Sequence, residues 1–477
     1  MSTPADTIPL PIELDMLLRE AQAAISAMRF QDALEIARVI GFKAPQSGMG
    51  PFLCGYAQQH LGLVEDAQRS YHEAVRLDRH HPDFQFHLAL LEMNLGLLDS
   101  AMKRFQEVLR LDPRLDGAQV NIGAIHARKG DRASAVRAFQ RALLINGQSL
   151  PAHNSIAEIA LAEGALSEAL DHANAALRIS PRDIAALFTR AQIRELRGED
   201  AESRADFEKI VAIEPTHAAA LTRVAMQYFR IGKLEEARAH IDRALEQAPD
   251  QGYAVVARAV INGETPPSLP AAMVASIFDQ FSAAYDRHMT GYLQYAAPQM
   301  TFALLDDWLA AKNSPVALDL GCGTGLFGAL LKPRVGVLKG VDISPGMLSE
   351  AAPRGLYDEL AQGHMLAYLL SQEPASFDLV AAVDVFIYVG ALEETFAEVA
   401  RVLRPGGAFA LTIESTAAAD LGYVLMASGR YRHTHAYIER LAEQHGLIVA
   451  GKSDGTLRVD AGEAQAGCAY LLQKPAG

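Results

Sequence analysis

The sequence has few cysteines and no long apolar run. Its three cysteines, Cys54, Cys322 and Cys468, form no C-x-x-C pair. This excludes the disulfide framework of small secreted domains and favours a reducing compartment. A stretch of about twenty apolar residues, which a membrane-spanning helix needs, is also missing. The first ten residues lack the basic and apolar regions of a secretory signal. We therefore expect a soluble cytoplasmic protein.

Positively charged residues are also fewer than negatively charged ones. The chain has 43 lysines and arginines against 57 aspartates and glutamates, for a formal net charge of -14. General nucleic-acid binders depend on Lys and Arg to neutralise phosphates, so we do not expect nucleic acid as a partner. Apolar residues, in contrast, make up 50% of the 477 positions. This composition is typical of globular proteins, and the length predicts two or more domains.

The first half of the chain repeats itself with a period of 34 residues. Pro181, Pro215 and Pro249 are spaced by this distance, and so are six glycines, each followed five positions later by a small residue. Because proline cannot continue a helix and glycine favours turns, each unit predicts two antiparallel helices joined at the glycine. Aromatic residues four positions after the small residue are expected to fill the space between layers. The glycines are Gly62, Gly96, Gly130, Gly164, Gly198 and Gly232, and the aromatics are Tyr71, Phe105, Phe139 and Phe207.

This period and pattern resemble tetratricopeptide repeats. The resemblance implies an all-α superhelix over residues 14–261, with about seven repeats and a capping helix from Tyr253 to Ile261. Such a superhelix has no chemistry of its own, and its concave face binds proteins or peptides. The first-helix residues expected to face that groove are Phe52, Tyr56, Phe86, Met93, Phe188, Met226 and Phe229. A packed core and a homodimer contact are the alternatives for these side chains.

The second half contains a glycine-rich turn between an apolar strand and a helix. The turn closes the run from Ala317 to Gly325, A-L-D-L-G-C-G-T-G. Glycines let the backbone turn tightly and let a ligand approach it, and the following helix offers unpaired N–H groups. The next strand ends in Asp342, whose carboxylate can accept hydrogen bonds from a ribose diol. A dinucleotide site would need G-x-G-x-x-G, and Gly325 comes one residue too early for that spacing.

Further motifs follow in a fixed order, with Phe377–Val380 running to Asp384 and Val402–Gly407 preceding another strand. Over residues 271–477 this set resembles class I S-adenosylmethionine-dependent methyltransferases. The resemblance implies an α/β Rossmann-like fold whose mostly parallel sheet carries an antiparallel edge hairpin, near 446–451 and 468–473. It also implies S-adenosylmethionine as the cofactor. The residues expected to bind it are Asp319, Gly321, Cys322, Gly323, Gly325, Asp342, Ile343, Met347, His364, Met365, Asp384 and Tyr285.

A turn-rich segment separates the two halves. Residues 262–270 read N-G-E-T-P-P-S-L-P, and we expect a linker there. Residues 271–310 predict a helical lid, in which Phe278–Asp286 resembles a stretch found before the glycine turn in small-molecule methyltransferases. This resemblance implies that the lid covers the cofactor and that Tyr285 donates to the cofactor's carboxylate. An amphipathic helix that packs on the sheet is the alternative. The whole arrangement resembles bacterial methyltransferases that carry tetratricopeptide repeats.

Asp384, Tyr388 and His433 are the candidates for the acceptor side of the site. The first two follow the fourth strand, where open α/β sheets bind ligands, although Asp384 could instead cap the next helix. His433 lies in R-Y-R-H-T-H-A-Y at 430–437, for which acceptor contacts and an exposed loop are both open. No nearby carboxylate or cysteine spacing completes a metal site with its His-x-His pair, so no metal is expected. His364 stands where related sequences place an acid that accepts from adenine, and a neutral histidine can accept one hydrogen bond.

These inferences predict an S-adenosylmethionine-dependent methyltransferase whose repeats recruit a protein or peptide acceptor or carrier. Repeats that only mediate oligomerisation, such as a homodimer, are an alternative. A non-catalytic repeat scaffold, whose methyltransferase-like domain senses the cofactor, is the rival from another class. The methyl acceptor and its reacting atom, oxygen, nitrogen or carbon, stay open. A general base stays open too, because methyl transfer needs one only where the acceptor atom carries a proton.

Overall fold

The computed structural model describes residues 12–282, 285–287, 289, 293–417, 419–460 and 463–476. It divides into two compact units, one ending at Thr189 and one beginning at Arg190. The boundaries expected from the sequence, with repeats over 14–261, a linker over 262–270 and a methyltransferase domain over 271–477, remain a prediction. Part of the predicted lid, including residues 283 and 284 of its motif, and residue 477 lie outside the described residues.

The unit ending at Thr189 is built from successive helices. The helices pair at glycines with left-handed backbone, such as Gly62 at φ +76° and Gly96 at φ +78°, which side chains disfavour. A Cβ added at Gly55 would lie 2.7 Å from the Tyr71 ring, so the small residue in the first helix permits close approach. The helices are α1 (Ile12–Ser26), α2 (Phe30–Lys43), α3 (Met49–His60), α4 (Val64–Leu77), α5 (Pro82–Asn94), α6 (Leu98–Leu111), α7 (Asp116–Arg128), α8 (Arg132–Ile145), α9 (Leu150–Ala162) and α10 (Leu166–Ile179), and α11 (Ile184–Leu196) contains the boundary.

The aromatic residues predicted between the layers are buried. Tyr71, Phe105 and Phe139 are at most 2% exposed, and each packs on its neighbours in a local apolar cluster. Met93 is also buried, because it packs in the core of its repeat. For this residue the structure favours core packing, the alternative that the sequence left open, over a position in the groove.

The unit beginning at Arg190 contains further helices and all the described strands. Its helices are α12 (Asp200–Ile213), α13 (Ala218–Arg230), α14 (Leu234–Gln247), α15 (Gly252–Asn262), α16 (Ala271–Phe281), α17 (Tyr285–Arg287), α18 (Ala297–Ala310), α19 (Leu326–Leu331), α20 (Pro345–Ala351), α21 (Met365–Ser371), α22 (Glu393–Val402) and α23 (His435–Gln444). Its strands are β1 (Val316–Leu320), β2 (Val337–Asp342), β3 (Glu359–Gln362), β4 (Phe377–Ala382), β5 (Leu403–Glu414), β6 (Tyr423–Leu425), β7 (Tyr431–His433), β8 (Ile448–Asp460) and β9 (Glu463–Gln473). No helix within the described residues is long and apolar enough to cross a bilayer.

Seven strands form one sheet in the order β3-β2-β1-β4-β5-β9-β8, and β6 pairs with β7 separately. The first five strands of the sheet run parallel, and β9 runs antiparallel to both β5 and β8. The predicted fold class, helical repeats followed by a mostly parallel sheet with an antiparallel edge hairpin, is therefore confirmed. The strand order reverses between β1 and β4, and their carboxyl ends open a crevice of the kind that binds ligands in such sheets.

Residues 266–269, which we call the strap, are bound to the segment that follows β4. The carbonyl of Pro267 accepts the N–H of Gly390 at 2.9 Å, and the N–H of Leu269 donates to the carbonyl of Tyr388 at 3.2 Å. These bonds satisfy backbone groups that proline-rich sequence cannot pair within a helix. The strap is thus part of the folded unit.

The last repeat helices share one apolar core with the strap and the second, small sheet. Leu221 and Met226 of α13 pack in the same cluster as Leu269, Leu425 and Tyr431. Each of these side chains is buried. Burial of apolar surface is the main favourable term in folding, so α13 to α15 stabilise the sheet-containing unit directly.

Candidate functional site

The glycine-rich turn begins where β1 ends. Gly321, Gly323 and Gly325 have φ values of 65°, 53° and 94°, in a region that side chains disfavour. The N–H of Gly321 donates to the carbonyl of Val341 in β2 at 2.8 Å. A Cβ added at Gly321 would lie 2.6 Å from a methyl group of Val385, so a larger residue does not fit there. The turn therefore presents bare backbone at the crevice.

Asp342 ends β2 with its carboxylate against this turn. One oxygen accepts the N–H of Gly323 and the other accepts the N–H of Ser344, both at 2.8 Å. The residue is 8% exposed, and burial raises the pKa of its carboxyl while the backbone N–H donors oppose the rise. Each carboxylate oxygen has two acceptor sites, so both oxygens keep capacity for a further donor.

A pocket opens at the carboxyl ends of β1, β2 and β4. Its lining includes two carboxylates and, among the described residues, no lysine or arginine. Such a pocket favours a positively charged ligand. Leu269 of the strap and Phe278 of α16 close another side. The predicted site residues that line it are Gly321, Asp342, Ile343, His364, Met365, Asp384 and Tyr388.

Other residues predicted to bind the cofactor lie behind this lining. Asp319 is 2% exposed and accepts a hydrogen bond from the Tyr357 hydroxyl at 2.7 Å. Burial raises the pKa of Asp319 to about 7, against the lowering effect of that bond. Cys322 and Met347 are 5% and 1% exposed, so both side chains are core residues in this structure. Gly323 and Gly325 shape the turn without appearing in the lining.

Asp384 stands two residues after β4 in a left-handed conformation, with φ 62°. Its N–H donates to the Thr412 hydroxyl at 2.7 Å, and its carboxylate accepts from the Arg458 guanidinium at 2.6 Å. The following short helix at 386–388 begins after Val385, with no side-chain cap. Asp384 is therefore anchored by β5 and β8, and the helix-cap alternative does not describe its contacts.

The sequence does not predict that Arg458 and its second partner, Glu414, lie at the site. Both are 1% exposed, and their side chains form a buried ion pair. Burial lowers the pKa of Arg458, but the carboxylates of Asp384 and Glu414 more than offset this and raise it above its ordinary value. The available signal is a lone charge in the strand segment Leu457-Arg458-Val459, since a charged residue is rarely buried unless it is paired.

The charge of Asp384 acts on three buried tyrosines. Burial, followed by the charge of Asp384, raises the pKa of Tyr285 and of Tyr295 well above its ordinary value. Burial also raises the pKa of Tyr388, and Arg430 opposes this rise. All three hydroxyls thus stay protonated near neutral pH and can donate hydrogen bonds. Tyr295 escapes prediction, and Tyr285 lies near Asp384 without appearing in the pocket lining.

Two aspartates of the predicted lid form hydrogen bonds to neighbouring elements, and we call these contacts the lid clasp. Asp279 accepts a hydrogen bond from the Ser344 hydroxyl at 2.5 Å, next to the start of α20. Asp286 accepts one from the Thr324 hydroxyl in the glycine turn, also at 2.5 Å, and forms an ion pair with Arg354. Both aspartates belong to the predicted lid motif. The clasp ties that motif to two of the elements that border the pocket.

His433 does not line the pocket. It is 0% exposed, its Nε2 atom lies 3.0 Å from the carbonyl of Gly390, and its ring stacks on Tyr437. Burial lowers the pKa of His433 to about 4, so the ring is neutral at neutral pH. This segment, for which the sequence leaves acceptor contacts and an exposed loop open, contains β7, whose pairing with β6 fixes His433 inside the fold.

His364 lines the pocket and also caps a helix. Its Nδ1 atom accepts the backbone N–H of Leu366 at 3.3 Å, at the start of α21. An acceptor at Nδ1 requires the proton of a neutral ring to be on Nε2, which is then a donor. A neutral His364 in this arrangement offers a ligand an N–H group.

One described cluster has the composition of a metal site. His435, Asp454 and Cys468 have ligand atoms within 4.8 Å of one another. Sequence spacing does not reveal it because the three residues come from α23, β8 and β9. Burial, with the nearby Asp454, raises the pKa of the Cys468 thiol to about 12, so a metal would have to displace a firmly held proton. The absence of a bound metal remains a prediction.

Family models match both halves of the chain. One described as a methyltransferase domain matches residues 318–411, and one described as a tetratricopeptide repeat matches residues 55–116 and 121–184. This chain is a methyltransferase-domain protein with tetratricopeptide repeats. The methyltransferase match runs from within β1 to within β5 and includes the glycine turn and Asp342.

Several curated relatives are themselves named methyltransferases. Methyltransferase-like protein 27 of Homo sapiens is 34% identical over 143 residues, covering 28% of this chain and 55% of the relative. The malonyl-[acyl-carrier protein] O-methyltransferase of Methylovorus sp. (strain MP688) is 31% identical over 203 residues, covering 40% and 66%. The chain thus spans about half to two thirds of the length of these curated relatives. The crystal structure of YrrB, a TPR protein with an unusual peptide-binding site, matches 40% of this chain and 98% of its own at 19% identity, with a TM-score of 0.34.

Proposed function

We propose that this protein transfers a methyl group from S-adenosylmethionine and binds that cofactor in the pocket at the carboxyl ends of β1, β2 and β4. The observation that carries the proposal is the position of Asp342. Its buried carboxylate lines the pocket together with Gly321, the first residue of the glycine turn. Two acceptor oxygens at the end of the second strand suit the two hydroxyls of a ribose.

The charge of the pocket supports the same ligand. A sulfonium is positively charged, and Asp342 and Asp384 are the carboxylates of the lining. Arg458 neutralises only part of the neighbouring negative charge, because it pairs with both Asp384 and Glu414. Glu414 also pairs with Arg432, at 3.6 Å, so these four groups balance, and Asp342 supplies the negative charge of the lining, which favours a cation in the pocket.

The remaining residues suit the needs of methyl transfer. When bound, S-adenosylmethionine supplies an electrophilic methyl group that an acceptor lone pair takes by in-line displacement. Tyr388 would orient the acceptor by donating its hydroxyl proton, and Asp384 would accept a proton from an acceptor atom that carries one. The lid clasp would keep water out of the closed pocket. We leave His433 out of this role because its ring is buried.

We further infer that the repeats hold a polypeptide partner. The unit ending at Thr189 carries a half-buried aromatic patch formed by Phe52, Tyr56, Phe86 and His87, with the Phe52 and His87 rings 5.2 Å apart. Aromatic side chains are frequent anchors in such interfaces. The name of the Methylovorus relative places the acceptor of that enzyme on an acyl-carrier protein, which favours a carrier protein over a free peptide here.

Calorimetric titration of S-adenosylmethionine tests the cofactor site. Asp342→Ala should weaken binding about tenfold or more, because each charge-assisted hydrogen bond contributes about 1.5–3 kcal/mol. Asp342→Asn keeps one acceptor oxygen and should lose less. Asp306→Ala removes an exposed carboxylate paired with Arg334 and should bind as the wild type does. An unchanged affinity in Asp342→Ala would contradict the ribose role.

A turnover assay separates the enzyme from a cofactor-sensing scaffold. Full-length protein, labelled S-adenosylmethionine and lysate fractions should yield S-adenosylhomocysteine and a labelled acceptor. Asp384→Asn should lower this rate far more than it lowers cofactor affinity, since interactions made in the transition state appear in the rate. Binding with no turnover in any fraction would favour the scaffold.

A further inference from the structure

A second cavity adjoins the pocket on the side of the last repeats, and we call it the repeat-side cavity. Its volume is about 170 Å³. Met226 of α13, Val256 of α15 and Ile277 of α16 are among the apolar residues of its walls, and residues 427–430 also line it. Leu269 and Tyr388 line both this cavity and the pocket. The two chambers are thus neighbours that share a border.

The border carries polar groups in a chamber whose remaining lining is mostly apolar, with Tyr253 and Ser428 as the exceptions. Arg430 is the charged residue among the described residues of the lining, and its side chain hydrogen-bonds to the Tyr388 hydroxyl. A guanidinium has five N–H donors, and a tyrosine oxygen that accepts one bond still has its own proton to donate. Because burial raises the pKa of Tyr388, that proton is retained near neutral pH. Arg430 and Tyr388 together therefore present N–H and O–H donors to a ligand.

We propose that the repeat-side cavity binds the methyl acceptor, and that this acceptor is a compact apolar carboxylic acid whose carboxylate meets Arg430 and Tyr388. Arginine binds carboxylates through paired, charge-assisted hydrogen bonds. An apolar cavity of about 150 Å³ holds a benzene molecule. The apolar part of the acceptor therefore has the size of one aromatic ring or a short acyl chain. Helices α13 and α15 become a wall of the acceptor site, besides any role of the repeats in recruitment.

This inference rests on the proposed function, because it assigns the neighbouring pocket to the methyl donor. Tyr388 and Leu269 line both chambers, so an acceptor bound in the repeat-side cavity lies on the other side of these two residues from the methyl donor. The carboxylate is held at the shared border, where it fixes the orientation of the acceptor relative to the methyl group.

Binding of small acids to the full chain tests the inference, with benzoate, hexanoate and the neutral benzamide as probes in calorimetry or saturation-transfer NMR. We expect benzoate to bind at least about tenfold more tightly than benzamide, because only the carboxylate makes charge-assisted bonds. Arg430→Gln should remove this preference, and Arg430→Lys should keep part of it. The matched control is Arg440→Gln, since Arg440 is exposed over the Tyr437 ring on α23 and should not affect benzoate.

A cavity-filling variant gives a second, independent measurement. Ile277 is half-buried and lines the repeat-side cavity but not the pocket. Ile277→Phe should weaken benzoate and hexanoate about tenfold or more, while S-adenosylmethionine affinity, measured in the same sample, stays near the wild-type value. Circular dichroism checks its fold, and Arg430→Gln decides the question if Ile277→Phe is unfolded.

The outcomes separate this inference from the proposed function. Protein that binds S-adenosylmethionine but none of the probes at millimolar concentration overturns the acceptor site. Equal benzoate affinity in wild type and Arg430→Gln overturns the proposal that a carboxylate of the acceptor binds Arg430. Benzoate binding that depends on Arg430, in protein that does not bind S-adenosylmethionine, supports the acid-binding cavity and refutes the proposed function.

Discussion

Asp384 combines a costly backbone conformation with contacts that hold it in place. A non-glycine residue with positive φ costs about 1–3 kcal/mol, and such residues persist where surrounding contacts fix them. Here the contacts are the bond from the Asp384 N–H to Thr412 and the ion pair with Arg458. Strain of this kind is concentrated at functional sites. The conformation therefore supports a role for Asp384 in turnover.

Arg458→Met should lower the free energy of unfolding by about 3–5 kcal/mol, because it leaves the buried carboxylate of Asp384 without its cation and that of Glu414 with only the more distant Arg432. Urea unfolding of the full chain measures the change. The double variant Arg458→Met, Glu414→Gln should regain part of it. Arg404→Met serves as the control, since Arg404 is 41% exposed in its pair with Asp378 and should cost about 1 kcal/mol or less. Equal losses in the two single variants would contradict the buried pair.

Asp319 should make stability depend on pH. Its pKa is about 7 in the folded chain and about 4 in an unfolded one, so the folded carboxyl keeps its proton at pH values where the unfolded one has lost it. The stabilising contribution is complete below about pH 4 and disappears as the pH rises through about 7. Asp319→Asn has no proton to lose, so the wild type should lose stability relative to this variant by a few kcal/mol. Unfolding without cofactor between about pH 5 and pH 8 checks this, and parallel profiles would contradict it.

Residues near the glycine turn could be predicted because strand ends and short spacings define their positions. Asp342 ends the strand that follows the turn, so the sequence alone predicts that its carboxylate lies near the turn. Arg458 could not be predicted in the same way. It reaches Asp384 across 74 residues and Glu414 across 44, and the register of β5, β8 and β9 brings them together.

At the scale of elements, the lid clasp holds the lid against the glycine turn and the start of α20. Asp279→Ala and Asp286→Ala should each speed dissociation of S-adenosylmethionine and leave its association rate nearly unchanged, because closed-lid contacts act mainly on release. Stopped-flow measurement of both rates checks the prediction. Asp306→Ala, an exposed carboxylate on α18, should behave as the wild type. Identical dissociation rates for the three variants would contradict a role of the lid in retaining the cofactor.

Some element boundaries follow from local sequence and others from pairing. The helix α23 forms over His435–Gln444 because its apolar residues recur with the helical period. The strand expected at 446–451 continues instead to Asp460, since β9 pairs with it along its length. Residues 431–433 form β7 for the same reason, although the polar sequence around them resembles a loop. Cross-strand pairing can override a local pattern.

At the scale of the whole molecule, the last repeats belong structurally to the unit that carries the site. The repeat period predicts paired helices and the motif order predicts a mostly parallel sheet, and the structure confirms both. The shared core could not be predicted, because apolar residues that pack on a neighbouring domain resemble those that pack within a repeat. Leu221 and Tyr431, for example, are both 0% exposed in one cluster, although 210 residues separate them.

Two matched leucine substitutions test this difference between repeats. Leu221→Ala, in α13, should cost about 2–5 kcal/mol and lower S-adenosylmethionine affinity, because its core continues to the strap beside the pocket. Leu88→Ala, in α5, is buried to the same extent and should cost a similar amount without affecting the cofactor. Thermal unfolding and calorimetry on both variants measure the two effects. Equal cofactor affinity in the two proteins would contradict the structural role assigned to α13.

The division of the chain has a consequence for how such a protein can change during evolution. Every residue that lines the pocket or the repeat-side cavity follows Arg190. Under the roles proposed above, duplication or loss of repeat-encoding segments upstream of α11 would alter which partner is captured but leave the acceptor unchanged. Recombination within α13 or α15 would, under the same proposal, alter the acceptor. The proposal therefore implies that partner choice and substrate choice can diverge independently in one gene.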